Sequence, residues 1–434
     1  MAEISRRNFV KLIGAGGAAS AMSLTGCAAL SREPAKPAPR VVVIGGGFGG
    51  ATCAKYLRIY DPSLNVTMIE QNANYITCPG TNMVLGGFRK MDDLVQNYNA
   101  LRGKYGVNVI QDRVTGVDPA KRLVTLSSGK TIEYDRLVMS PGIDFKWNAI
   151  EGYDEAASQF MPHAWKAGAQ TVLLEKQLRA MPDGGTVIIA PPGMPFRCPP
   201  GPPERASLIA HYLKNHKPRS KVLILDVKEQ FSKQKLFMDG WNALYPGMIE
   251  WVPGSKGGKI QRVDAKGLTV YTDEGMTTHK ADVVNIIPPQ KAGNIAVSTG
   301  LADKAGWCTV NQLTFESNVV PGIHVIGDSA TAGAMPKAGH TANNIAKMTA
   351  AAIVSIFRGV KPPVPSHVNT CYSLVGPEYG ISMAAVYRLG EDGVLAGVKG
   401  AGGLSPEDAP SLMRAQEAGY GRGWYDSIVA DTFG

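Results

Sequence analysis

The stretch from Arg40 to Ala51 constrains this chain more than any other. Val41, Val42, Val43 and Ile44 are four successive β-branched residues, which read as a strand buried on both faces. Gly45, Gly47 and Gly50 come next on the G-x-G-x-x-G spacing. The first glycine permits a tight turn, the second lets the backbone approach a pyrophosphate, and the third lets the next helix pack on the strand. That helix, expected over residues 51–60, presents unpaired N–H groups and a positive dipole end to phosphates. A second apolar run, Val66 to Ile69, ends in Glu70, an acid about 20 residues past the last glycine. Its carboxylate is placed to accept both hydroxyls of an adenosine ribose. A dinucleotide site on these residues therefore outweighs a plain glycine turn.

A chain of 434 residues holds two or three domains with ample core. Its hydrophobic content of 44% and charged content of 19% are ordinary for a globular α/β protein. Part of the formal charge of +9 comes from Arg6, Arg7, Lys11, Arg32 and Lys36, opposed there only by Glu3 and Glu33. The other basic residues are scattered and aromatics are few, so there is no nucleic-acid footprint. A mildly basic surface suits an acidic protein partner or a small anion.

The run Ser5-Arg6-Arg7-Asn8-Phe9-Val10-Lys11 has the form of a twin-arginine export signal, so a periplasmic location is expected. The Gly/Ala-rich stretch behind it, residues 12–24, is too short to span a bilayer as a stable helix. Leu24-Thr25-Gly26-Cys27 resembles a lipoprotein processing box; cleavage nearby is the favoured outcome and a lipid anchor at Cys27 the alternative. Residues 33–39 read as a Pro-rich tether. No other segment is long and apolar enough to be a transmembrane candidate.

The segments between 107 and 142 read as a strand, a hairpin about Ser128-Gly129, and a buried strand ending at Pro141-Gly142. Thr186 to Ala190 then opens a second nucleotide-type half. The proline run Pro191 to Pro203 comes directly after it, lacks the glycine spacing and cannot wrap a pyrophosphate in the same way. A helix over 204–215 and a strand over 221–226 complete that sheet. Ala281 to Ile287 reads as the strand that returns the chain to the first domain. The run Gly322 to Val325 is a strand presenting Gly327-Asp328 to a ligand, with a helix from about Gly339 to Phe357 behind it. In the tail, Tyr379 to Arg388 reads as a strand pair and residues 411–434 as Gly-rich and polar.

Gly327-Asp328 resembles the second flavin-contact segment of two-dinucleotide flavoproteins, in which the aspartate accepts a ribityl hydroxyl. With Gly45, Gly47, Gly50 and Glu70 it makes FAD the expected cofactor rather than NAD. The six cysteines are Cys27, Cys53, Cys78, Cys198, Cys308 and Cys371. Cys53, one turn into the first helix, reads as structural. No C-x4-C pair follows that helix and no C-x-x-C exists, so dithiol chemistry of the thioredoxin-reductase kind is not supported. C-x-x-C-H is absent as well, so this chain attaches no c-type haem.

Four segments together resemble the flavoprotein subunit of flavocytochrome c sulfide dehydrogenase. They are Arg197-Cys198-Pro199-Pro200-Gly201-Pro202-Pro203-Glu204-Arg205-Ala206, Tyr75-Ile76-Thr77-Cys78, Asn369-Thr370-Cys371-Tyr372-Ser373, and the end Trp424-Tyr425 through Asp431-Thr432-Phe433-Gly434. The resemblance runs over essentially the whole chain after the leader, within a wider group that includes the sulfide:quinone oxidoreductases. It implies two dinucleotide-binding-type (Rossmann-like) domains of the disulfide-reductase flavoprotein type and a small C-terminal α+β interface domain. The expected division is a leader and tether (1–39), an FAD-binding domain (40–145 and 281–360), a second Rossmann-like domain without an NAD fingerprint (146–280), and a cytochrome-interface domain (361–434).

The resemblance also implies roles for single residues. Cys78 matches the covalent attachment point of FAD, and Cys198 with Cys371 the redox-active disulfide beside the flavin. Glu204 is a candidate acid/base, weighed against a carboxylate that only faces a helix dipole. Trp424 corresponds to an aromatic between the flavin and the haem c of a c-type cytochrome partner chain, weighed against a packing role. Apart from the resemblance, Lys337 and His340, after Gly327-Asp328, are the weaker candidates for approaching the flavin. No metal site is expected. The implied function is oxidation of sulfide to sulfur or polysulfide, with electrons passed to the cytochrome. The alternatives are a sulfide:quinone oxidoreductase, which needs a membrane-seating segment, and a non-enzymatic electron-relay or sulfur-carrier subunit, which free sulfide would not bleach.

Overall fold

The computed structural model describes residues 37–434. The twin-arginine motif, the Cys27 box and the tether as far as Lys36 lie outside the described residues. The Val-rich run forms the strand Arg40–Ile44 at the centre of a five-stranded parallel sheet, in the order Ile323–Val325, Arg136–Met139, Arg40–Ile44, Asn65–Glu70, Asn108–Gln111. The register sets Arg40 beside Asn65 and Ile44 beside Ile69, which brings Glu70 level with the glycine turn. Burial on both faces is as the unbroken apolar run requires: Val41, Val42 and Val43 are almost wholly inaccessible. The helices Phe48–Tyr60 and Gly339–Phe357 pack together against this sheet. The hairpin reading about Ser128-Gly129 matches the antiparallel strands Leu123–Leu126 and Thr131–Glu133.

The second parallel sheet runs Ile249–Val252, Lys221–Leu225, Thr186–Ala190, Val283–Ile286. Val283–Ile286 is therefore its fourth strand, not the opening of the return to the first domain. The chain goes back only at Gln290–Ala292, which pairs antiparallel with Ile143–Phe145. An unbroken apolar run carries no mark of which parallel sheet it joins. Here Val283 pairs with Val187 and Ile286 with Ala190, closing the core between those strands and the helix Gly201–His216.

The tail forms an antiparallel sheet of Ser366–Gly376, Tyr379–Leu389 and Leu395–Leu404, followed by the helix Ser411–Phe433. Tyr379–Leu389 is thus one long strand rather than a strand pair; its partners lie on either side of it in sequence. The helix forms despite Gly419, Gly421 and Gly423 because packing outweighs propensity. A Cβ on Gly380 would stand 2.3 Å from the Ala418 nitrogen, so glycine lets this helix lie directly on the sheet. Its far end is tied to the first domain. Lys55 Nζ donates to the Asp431 carbonyl at 2.7 Å, and Tyr56 Oη and Lys347 Nζ each reach the Asp431 carboxylate at 2.7 Å. Phe433 stacks on Tyr75 and meets the edge of Phe48. Among the described residues, no helix is long and apolar enough to cross a membrane.

Candidate active site

The turn after Ile44 is built for close approach. Gly45 has φ +98°, and a Cβ there would lie 2.3 Å from the Ser140 carbonyl oxygen. A Cβ on Gly50 would lie 1.8 Å from the Gly45 carbonyl oxygen, so only glycine lets the helix meet the strand. Gly47 caps Phe48–Tyr60 with no side-chain hydrogen bond, leaving the first-turn N–H groups open to an anion. Glu70 Oε2 accepts from the Gly46 N–H at 2.8 Å, while Oε1 accepts from the Asn72 backbone and side chain, each at 3.0 Å. A carboxylate offers about four lone-pair sites, so capacity for ribose hydroxyls remains.

Asp328 sits in the short turn after Ile323–Val325. One oxygen lies 3.8 Å from Arg197 Nη1; the other, Oδ1, is buried with no partner. Burial raises this carboxyl above its ordinary pKa, with Arg197 and Lys337 opposing. An orphaned buried acceptor costs about 1–3 kcal/mol, which a ligand hydroxyl would relieve. The glycine cradle, the open helix end and this orphan oxygen together fit a bound FAD.

Cys78, Cys198 and Cys371 come from three distant segments and line one cavity of about 120 Å³, together with Trp165, Glu204, His340 and Trp424. Cys78 lies between the strand Tyr75–Ile76 and the helix Thr81–Gly86, its Sγ 3.7 Å from the Trp165 carbonyl oxygen. Cys198 precedes Gly201–His216 with φ +58°, and its N–H donates to the Lys337 carbonyl at 2.8 Å. Cys371 is midway along Ser366–Gly376. The bridge that the resemblance implies between Cys198 and Cys371 is not formed here: both are free thiols sharing the cavity. Burial pushes both thiols up.

Glu204 is more than a dipole partner. Asn82 Nδ2 donates to its Oε2 at 2.8 Å and the Leu374 N–H to its Oε1 at 2.9 Å, so the carboxyl joins the segments that carry the three cysteines. Burial raises its pKa, opposed first by the Leu374 and Asn82 hydrogen bonds and then by the charges of Lys233 and Arg205. A buried carboxyl with a raised pKa is suited to hold and release a proton. Trp424, on the C-terminal helix, has a buried Nε1 without a partner, and its ring centroid is 6.3 Å from that of His340. Lys337 turns away from the cavity. Its Nζ donates to the Asp328 and Ala330 carbonyls, both at 2.8 Å, and burial lowers its pKa to about 8. Its work is to hold the Asp328 turn. Cys53 is buried in the core, as expected, and so is Cys308.

Three residues were not singled out from the sequence. Arg205 is buried and donates to Asn82 Oδ1, Asn285 Oδ1 and the His163 and Ala164 carbonyls, bracing Glu204's neighbours. Trp165 supplies the carbonyl that both Cys78 and Arg197 reach. Lys233 reaches the strand of Cys371 from 138 positions away. The arginines flanking the Cys198 proline run were the one available signal; Trp165 and Lys233 had none.

In the second sheet the equivalent nucleotide position is closed. Asp226 ends Lys221–Leu225 as Glu70 ends its own strand, yet it is held by Lys228 Nζ at 2.5 Å and Trp251 Nε1 at 3.2 Å. Pro191, Pro199, Pro202 and Pro203 fill the groove beside it, leaving about 10 Å³. A nucleotide has no room there. Among the described residues no cluster of side chains is arranged to hold a metal ion.

Residues 171–288 match the family of the central domain of the sulfide dehydrogenase (flavocytochrome c) flavoprotein chain, and residues 363–433 its flavin-binding family. Residues 39–178 match the pyridine nucleotide-disulphide oxidoreductases. The sulfide dehydrogenase (flavocytochrome c) flavoprotein chain of Chlorobaculum thiosulfatiphilum is 60% identical over 45 residues, which are 10% of this chain and 94% of that sequence. The sulfide-quinone reductase of Aquifex aeolicus (strain VF5) is 35% identical over 186 residues, 43% of this chain and 42% of the reductase's length. The solved sulfide:quinone oxidoreductase of Aquifex aeolicus shares the fold, with a TM-score of 0.69 at 19% identity over 91% of this chain and 92% of that one.

Proposed function

The chain belongs to the family of sulfide dehydrogenase (flavocytochrome c) flavoprotein chains, and from that premise we propose that it is an exported, periplasmic flavoenzyme that oxidises sulfide to sulfane sulfur or polysulfide. Cys198 and Cys371, free thiols in this structure, close on oxidation into the working disulfide, FAD is attached through Cys78, and a c-type cytochrome on another chain receives the electrons. The observation that carries this reading is the meeting of Cys78, Cys198, Cys371 and Glu204 on one cavity, in a fold whose second nucleotide groove is filled.

Gly45, Gly47, Gly50, Glu70 and Asp328 would hold the FAD. When bound, the flavin supplies a two-electron acceptor that gives its electrons up singly, which suits a haem acceptor. The chain's own part is thiol chemistry. Hydrosulfide is a soft nucleophile that attacks one sulfur of the bridge, and the S–S bond opens with its electron pair on the other sulfur. Glu204 exchanges a proton at its carboxyl as thiol and thiolate interconvert. The cavity wall formed by Trp165, Trp424 and Tyr425 keeps water from the reacting sulfurs.

The test is acid precipitation of the purified protein followed by peptide mass mapping. Flavin retained on the Cys78 peptide and a Cys198–Cys371 bridge support the reading; released flavin or unbridged cysteines overturn it. The likeness to the Aquifex sulfide-quinone reductase favours a second reading in which a quinone takes the electrons. Sulfide-driven reduction of c-type cytochrome, but not of a soluble quinone, decides for the first.

A further inference from the structure

Lys233 stands outside every sequence motif, yet its side chain ends at the backbone of Cys371. It caps the helix Gln234–Leu244 in a left-handed conformation, φ +60°, uncommon for a residue with a Cβ. The side chain is buried, and Nζ donates to Ser373 Oγ at 2.8 Å and to the Cys371 carbonyl oxygen at 3.4 Å. Both acceptors are neutral and both lie on the strand Ser366–Gly376. The Phe237 ring, 5.9 Å away, adds only a weak cation–π contact. A buried ammonium held by neutral oxygens is short of negative charge.

The groups nearby that can supply it are Cys371, Cys198 and Glu204. Burial raises the pKa of all three, and Lys233 opposes that rise in each. The opposition is unequal. At Cys371, Lys233 is the foremost charge; at Cys198 it ranks behind Cys371, Glu204 and Arg197. The other charged or titratable groups lining the cavity of the pair are Arg197, Cys78, Tyr372, Tyr425, Arg205, beside Glu204, and His340, whose Nδ1 accepts from the Thr370 N–H at 3.3 Å. Lys233 Nζ bonds the Cys371 carbonyl and Ser373 on the Cys371 strand and is bonded to no atom of the Cys198 segment, so its charge sits on the Cys371 side of the pair.

We propose that Lys233 is the counter-charge that makes Cys371 the leaving sulfur when the bridge opens, so that hydrosulfide adds to Cys198. The inference rests on the sulfide-oxidising reading above. The hydrosulfide sulfur bonds to Cys198 Sγ, the Sγ–Sγ bond breaks, and its electron pair stays on Cys371 Sγ. The products are a Cys198 persulfide and a Cys371 thiolate, with one negative charge before and after. A leaving thiol of lower pKa leaves faster, which is where Lys233 acts. It touches the cysteine's backbone rather than the reacting atoms, so it is a positioning residue.

The test uses the full flavin-loaded protein with its bridge intact. One equivalent of sodium sulfide is added without air, thiols are trapped with iodoacetamide, and peptides are mapped by mass. The expected result is one extra sulfur atom on the Cys198 peptide and direct alkylation of Cys371. Extra sulfur on Cys371 instead overturns the proposal. A protein with no bridge at the outset, or no extra sulfur on either cysteine, overturns the sulfide-oxidising reading itself. A second measurement tracks the alkylation rate of Cys371 against pH in the reduced protein. Lys233→Gln raises its midpoint by about 1–2 pH units, a ten- to hundredfold slowing at fixed pH, while Lys233→Arg keeps it. An unmoved midpoint in the Gln variant also overturns the proposal. Should that variant not fold, the persulfide map of the unaltered protein decides alone.

Discussion

Alanine at Gly50 and at Gly47 should fail in different ways. At residue 50 the new Cβ would stand 1.8 Å from the Gly45 carbonyl oxygen and 2.9 Å from its carbonyl carbon. A comfortable carbon–oxygen approach is about 3.3 Å, so the helix must retreat by about 1.5 Å. Both obstructing atoms are backbone and cannot rotate aside. The retreat loosens Phe48, Ala51, Cys53, Ala54 and Leu57, all buried on that helix. Overpacking of this kind costs about 1–3 kcal/mol, and a backbone clash belongs at the upper end. At Gly47 the new Cβ meets only the Tyr75 ring at 3.2 Å, and φ there is −77°, which alanine adopts freely. The fold should survive with a change of about 0.5 kcal/mol or less. The added methyl, however, occupies the surface where the backbone meets the pyrophosphate, so flavin content falls. Urea unfolding is monitored by circular dichroism on the flavin-free fraction of each preparation, so that ligand linkage does not enter. Flavin is read as the ratio of visible to protein absorbance. A Gly50→Ala protein as stable as the unaltered one, or a Gly47→Ala protein with full flavin, refutes the reasoning.

Three further perturbations test the site. Glu204→Gln should slow sulfide oxidation by about tenfold or more, because the proton at the cavity is lost. It should also gain stability relative to the unaltered protein as pH rises above 4.5, since a carboxyl whose folded pKa is raised supports the fold only while protonated; pH-dependent unfolding of the pair measures this. Asp328→Ala removes an orphaned buried oxygen, so the flavin-free protein should hold or gain stability while flavin retention drops, read by melting and by absorbance. Arg205→Met strips donors from Asn82, Asn285 and two carbonyls and should cost about 3 kcal/mol or more in urea unfolding.

The glycine cradle, Glu70 and the Asp328 turn were legible because their requirements are local. A turn with φ +98° at Gly45 and a helix pressed onto Gly50 need glycine whatever the rest of the chain does. The proline run after Ala190 was equally plain, since proline removes the N–H groups a phosphate would use. The fold class came from the glycine fingerprint after the first strand together with the family resemblance. The cysteine segments were legible only through resemblance, for nothing in the spacing of Cys78, Cys198 and Cys371 says that they meet.

Residue order alone therefore dictates the local shapes: where the backbone turns, where phosphate can approach, and where it cannot. Which of those shapes face each other was settled by tertiary packing. It assigned Val283–Ile286 to the second sheet, laid a glycine-containing helix over Cys371's strand, and brought Lys233 to a carbonyl 138 positions away. It also turned Glu204 from a helix-end acid into a buried carboxyl bonded to Asn82 and Leu374. The physical reason is that such pairings are chosen by the burial they complete together, not by the preferences of neighbours along the chain.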